Sequence, residues 1–254
     1  MALTAKFTLS YGTANRDCGT ILVVAALSTS DATVSTAPER VARQLRDELL
    51  DGRYAAGTRL REEELAERFE VGRHTVRSAI RLLVERGLVV HERNRGAEVP
   101  PLTQGRIDEI FGFRKVLEIG ALRMALADGA DLTPVVAAVE ELEGLVGREP
   151  APSWRELTEV HARIHRAIVA AAGNSHLLSA YGRCEDETRI LLAVLQPDFD
   201  AFRLATLHRQ LLDKLLIGGD VAVQALADDL ELAGRSAMLV ALRRAETIAR
   251  ALSR

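Results

Sequence analysis

His161 and His165 stand four residues apart in a stretch with helical periodicity, so their rings leave one helix face and can share a metal ion. His208 sits mid-helix in a later segment, beside Leu207 and Leu211. Imidazole, alone or with a carboxylate, suits divalent transition metals such as zinc, nickel, manganese or iron, and spacing does not choose among them. An HxxxH pair on its own also fits rings that face solvent or are satisfied inside a core. Ala162 and Arg163 stand between the two histidines, so the glutamate base of HExxH proteases is missing. No P-loop, GxGxxG or Ser–His–Asp pattern appears either. A metal-dependent hydrolase is the alternative reading, and it would have ligands but no proton-transfer partner.

A second stretch with chemical potential runs from Leu60 to Val90. Glu62 to Phe69 and Arg73 to Glu85 both have helical patterns, and only Glu70, Val71 and Gly72 separate them. So short a connector suggests a helix-turn-helix whose second helix enters a DNA major groove; a surface helical hairpin is the other reading. The first turns of the second helix offer Arg73, His74, Thr75 and Arg77 to phosphates or base edges. Between Val71 and Arg95, six arginines face only Glu85 and Glu92, a local excess of four positive charges. One basic patch on a chain of net charge −3 fits a protein with a single DNA-facing surface.

The elements that must hold these residues are mostly helical. The chain has 254 residues, 48% hydrophobic and only 4% aromatic, with Leu, Ala and Val in helix-like spacing, enough for one large or two ordinary domains. Cys18 and Cys184 are isolated thiols, and no apolar run reaches the roughly 18 residues of a membrane helix, so a cytoplasmic protein without membrane contact is expected. Residues 1–36, rich in Ser, Thr and Ala, read as a poorly ordered extension or an over-long start of the reading frame. The apolar Ile21–Leu27 follows Arg16 and Asp17 and is read as part of that extension, not a targeting signal. A helix over Glu39–Leu50 precedes the helix-turn-helix. Leu88–Val90 and Ala97–Val99 read as strands of a hairpin whose turn carries Arg93, Asn94, Arg95 and Gly96. Pro100-Pro101 marks a boundary. Six helices follow, starting near Arg106, Pro134, Trp154, His176, Phe199 and Asp220, the last with a break near Gly234. The expected fold is therefore mainly α: a winged helix-turn-helix over 37–100 and an all-α antiparallel bundle of about six helices over 101–254.

The span from Arg40 to Val99 resembles the winged helix-turn-helix of the GntR family of bacterial transcription regulators. Leu60, Glu62, Leu65 and Ala66 match its Leu-x-Glu-x-x-Leu-Ala stretch; Val71, Arg73, Val76 and Arg77 match the recognition helix; Gly87-Leu88-Val89 precedes the wing and Gly96 is the wing glycine. Two positions depart: Gly72 replaces a capping Ser or Thr, and Thr75 replaces a common proline. The resemblance implies DNA contacts by Arg73, His74, Thr75, Arg77, Arg95 and Gly96. It also implies a homodimer on a palindromic double-stranded DNA operator, acting as a repressor that a small molecule releases.

The rest of the chain is similar to the helical effector (FCD-type) domain of the FadR subgroup. His161-Ala-Arg-Ile-His165 leads to Gly173-Asn174, and Leu207-His208 precedes Gly219-Asp220, as in that subgroup. There the metal ligands are an aspartate and three histidines. Here His161 stands at the aspartate position and Glu231 at the last histidine position, with Asp228 one turn earlier as a substitute. The resemblance thus implies a divalent metal held by His161, His165, His208 and Glu231; a metal-free regulator of the same fold is the alternative. Arg114-Lys-Val-Leu117-Glu118 resembles the subgroup's Arg-x-x-Leu-Glu. Arg114 on an apolar face needs an anion, either an effector, here a small organic acid, or an internal partner such as Glu118.

Overall fold

The computed structural model describes residues 35–92, 96–192 and 200–252; the residues before 35, and Arg93, Asn94 and Arg95 of the expected wing turn, lie outside that description. Helix α1 spans Ala37–Leu50. Thr36 and Glu39 form a reciprocal cap at its start: the Thr36 N–H donates to the Glu39 carboxylate at 2.8 Å, and the Glu39 N–H donates to the Thr36 hydroxyl at 3.4 Å. Such a cap contributes about 1 kcal/mol. Strand β1 (Arg59–Leu60), α2 (Glu62–Arg68), α3 (Arg73–Glu85), β2 (Val90–Glu92) and β3 (Gly96–Glu98) follow.

The strands form an antiparallel sheet of order β1-β3-β2, with Leu60 and His91 both opposite Ala97. β1 has only two residues, too short for an alternating pattern to reveal. Leu88 and Val89, expected to open a strand, are fully buried instead, and pairing starts at Val90. Val76, Ala79, Ile80 and Leu83 of α3 join Val41, Leu45 and Leu49 of α1 in one apolar core.

The helical part comprises α4 (Gln104–Ala127), α5 (Thr133–Glu143), α6 (Trp154–Ala170), α7 (Ser175–Leu192), α8 (Ala201–Ile217), α9 (Gly219–Asp228) and α10 (Ala237–Leu252), around a second core. Local sequence sets the starts. Ser153 and Glu156 make a capping box on α6, and the Asn174 side chain accepts from the N–H groups of His176 and Leu177. Between α9 and α10 the chain does not break at Gly234: Asp229–Ser236 is a π-helical segment joining them into one run. Gly234 lets this widened turn approach α4, where an added Cβ would lie 2.3 Å from the Phe111 ring.

Helix α7 joins the bundle to the winged helix. Arg46 of α1 clasps Asp186 with two hydrogen bonds, one of them 2.7 Å from Nε, and Arg86 lies 3.6 Å from the same carboxylate. Arg106 donates to the Gly87 carbonyl at 2.8 Å and pairs with Glu187 at 2.6 Å, while Ile190 packs on the winged-helix core. No helix among the described residues is long and apolar enough to cross a membrane.

Candidate metal centre and nucleic-acid interface

The apolar stripe that seats α3 fixes which of its side chains point outward. Arg73, His74 and Arg77 are exposed, the two arginine side chains by 64% and 62%. Thr75 is not with them: it lies one turn before Ala79, on the packed face, and is 6% exposed. The expectation that it reaches DNA is corrected accordingly. The outward arginines are engaged by α2. Arg77 makes a two-pronged contact with Glu62, from Nε at 3.0 Å and Nη2 at 2.7 Å, and Arg73 pairs with Glu63. Gly72 begins α3 without a side-chain cap, and the His74 ring folds back to within 2.9 Å of where a Cβ would sit. Gly96 opens β3 at φ +82°, a conformation that favours glycine, and is exposed at the wing. Arg95 falls outside the described residues.

In the bundle, α6 and α8 bring His161, His165 and His208 together, one nitrogen of each within 4.8 Å of the others. His165 and His208 are 1% and 2% exposed. For His165 and His208 the second ring nitrogen has a partner that fixes the ring. His208 Nδ1 lies 2.8 Å from the Leu204 carbonyl, which can only accept, so Nδ1 carries the proton and Nε2 keeps its lone pair. That Nε2 is buried with no hydrogen-bond partner. His165 Nδ1 meets the Glu118 carboxylate at 2.8 Å, leaving Nε2 free for another partner. Burial, with His208 and His165 alongside, holds the His161 ring well below the usual histidine range; burial also lowers His208, against the pull of Asp229. Three converging imidazoles, with the buried His208 Nε2 left without a partner, fit a transition-metal ion.

Glu231 does not join them. Its carboxylate accepts from Lys115 at 3.1 Å and Arg235 at 2.8 Å and is 35% exposed. Asp228 is exposed and bonds Gln224. The carboxylate beside the histidines is Asp229, its Oδ2 3.7 Å from His165 Nε2 and its side chain 11% exposed. Residues three and four apart share a helix face, and Leu226, Asp229 and Leu230 continue the inward face of α9. Counting from Asp220 picks Glu231, on another face. The Asp228-Asp229 doublet was the only sequence signal for a carboxylate beside His165 at this point of the chain.

Arg114 lies in the cavity wall, and its anion is internal. Its Nε donates to Glu118 at 2.7 Å, one helical turn on, and the two residues are 2% and 0% exposed. Burial pushes the Glu118 carboxyl upward, but Arg114 and His165 outweigh it and hold the group below the usual carboxylate range. Glu118 therefore links Arg114 to His165, a role that the residue pattern alone did not assign. The cavity beside the three histidines leaves about 30 Å³ for the centres of water-sized atoms, room for one or two. Phe111, Trp154, Thr158, Leu204 and Gly234 complete much of its wall.

Residues 37–99 match the family of bacterial regulatory proteins called gntR, and residues 109–231 match the FCD domain. The chain is 30% identical over 149 residues to the uncharacterised HTH-type transcriptional regulator BphR of Paraburkholderia xenovorans, covering 57% of this chain and 61% of that protein. It spans a similar share, 60%, of the YdhC regulator of Bacillus subtilis. A probable D-xylose utilization operon transcriptional repressor of Paenarthrobacter nicotinovorans is 29% identical over 182 residues, 70% of this chain and 80% of that one. Among solved structures, a putative GntR regulator from Rhodococcus sp. RHA1 superposes with a TM-score of 0.66 at 27% identity, over 80% of this chain and 97% of that one. With a winged helix of one match followed by a helical bundle of the other, this chain belongs to the gntR family of bacterial regulators, in its FCD-containing branch.

Proposed function

We propose that the protein is a ligand-responsive transcriptional regulator that represses by binding a palindromic operator as a homodimer. The observation that carries this reading is α3, seated by its apolar stripe with Arg73, His74 and Arg77 outward beside the glycine-hinged wing. On DNA, Arg73 and Arg77 exchange Glu63 and Glu62 for phosphates or base edges. Phe113, Val116 and Met124, exposed on one face of α4, support a second copy as partner. In the bundle, His161, His165 and His208 with Asp229 are the residues that would hold a divalent transition metal, zinc, nickel, manganese or iron. Such an ion supplies a Lewis-acidic docking point for the carboxylate of a small organic acid. Arg114, held by Glu118, borders the same cavity and offers that acid a fixed positive charge.

A gel shift at low salt on the DNA upstream of its own gene tests the reading. A retarded complex is expected, and no shift would overturn it. Arg77→Ala should weaken the complex by about 1–3 kcal/mol, and for a phosphate contact should also flatten the salt dependence. Unchanged affinity in that variant would remove Arg77 from the interface. Metal content is expected near one ion per chain in protein purified without chelators, and near zero in the His165→Ala/His208→Ala double variant. Equal, negligible metal in both would end the metal assignment while leaving DNA binding untouched.

A further inference from the structure

Two buried arginines border the histidine cluster, and their charges are balanced differently. Arg114 is matched within the protein by Glu118 at 2.7 Å. Arg189, on α7, is 7% exposed, and its Nε is buried without a hydrogen-bond partner. Its nearest carboxylate, Glu159, lies 3.8 Å from Nη2 and is itself 52% exposed. Placing a guanidinium where water cannot reach it is costly unless an anion completes its hydrogen bonds. The wall that Arg189 shares with Arg114, His161, His165, Tyr181 and Thr188 encloses a second, smaller void of about 10 Å³, next to the cavity of the histidines. Arg114, His161, His165 and Leu192 border both spaces, so only this partition separates Arg189 from the cluster.

We infer that Arg189 is a second anion-recognising residue, and that the effector is a dicarboxylate. One carboxylate is received at the His161–His165–His208 end beside Arg114, and the other by the open Nε edge of Arg189. This rests on the acid-effector reading and adds the ligand's class and the residue that selects it. The smaller void is no larger than one water molecule, so the second carboxylate enters only by shifting the side chains of the partition.

The test is calorimetric titration of the full-length, zinc-loaded protein with length-matched pairs, succinate against butyrate and glutarate against valerate. At least one dicarboxylate should bind roughly 10- to 100-fold more tightly than its monocarboxylate counterpart. Arg189→Met should erase that difference while zinc content and monocarboxylate affinity stay as in the wild type, and Arg189→Lys should restore part of it. Equal binding of the two acids in every pair overturns the inference, as does equal loss of both in Arg189→Met, which is what a purely structural arginine would give. If Arg189→Met does not fold, Arg189→Lys decides: reduced selectivity supports the assignment, and undiminished selectivity overturns it. A wild type that binds none of the four acids sinks the acid-effector reading along with it. Binding without preference for two charges removes the dicarboxylate and the role of Arg189 together, and leaves the acid-effector reading standing.

Discussion

Glu118→Ala is expected to destabilise the protein by about 3–5 kcal/mol, because it leaves the Arg114 guanidinium buried without its counter-charge. Three facts set the size. Both side chains are essentially inaccessible, their contact is 2.7 Å, and the other Glu118 oxygen also meets His165 at 2.8 Å. Urea denaturation measures the loss; a change under 1 kcal/mol would mean that water reaches Arg114 in the native state. The cost belongs to the orphaned charge more than to the ion pair. A double variant, Arg114→Met with Glu118→Leu, should therefore recover much of the stability. It should not recover metal binding. Without Glu118 to fix the His165 ring, affinity for the ion should fall roughly 10- to 100-fold, as for other lost partners of ligating histidines.

Gly234→Ala should cost about 1–3 kcal/mol, a large effect for a single methyl group. The added Cβ would meet Phe111 ring atoms at 2.3, 2.9 and 3.3 Å, and Phe111 is only 2% exposed, so its ring has nowhere easy to go. Ordinarily, Gly to Ala in a helix gains up to about 1 kcal/mol, so the expected sign is opposite to what helix propensity gives. Phe111→Leu in the Gly234→Ala background should return part of the loss. A Gly234→Ala protein that melts at or above the wild-type temperature would show that α4 and the π-helical segment separate freely.

The helices were legible because apolar residues recur along them and caps punctuate them. Val76, Ile80 and Leu83 mark α3, and Asn174 marks the start of α7. The histidine cluster was legible for a related reason: a four-residue spacing on α6 fixes two rings on one face, and family resemblance supplied the third. What failed depended on distance or on backbone irregularity. Choosing Glu231 required a regular count from Asp220, whereas the chain turns π-helical at Asp229, whose side chain lies beside His165. Thr75 was read as outward by its polarity, yet its position one turn from Ala79 turns it inward. Arg189 and Asp186 carry no local signal. Their importance comes from facing, across space, residues on α6 and α1 that are tens of positions away.

The closeness of the cavity walls has a consequence for sensitivity. On the proposed effector reading, a sensor whose resting form has only about 30 Å³ free beside its histidines admits a metabolite only after loosening itself. Part of the intrinsic affinity is then consumed in that loosening, and the apparent dissociation constant rises in inverse proportion to the fraction of open molecules. The response threshold is thereby pushed toward abundant compounds and away from trace ones. α7 forms part of this wall through Leu192 and meets the winged helix through Asp186 and Ile190, so one helix borders both the cavity and the head. Poor fit in the resting state is what would let such a molecule turn occupancy into displacement.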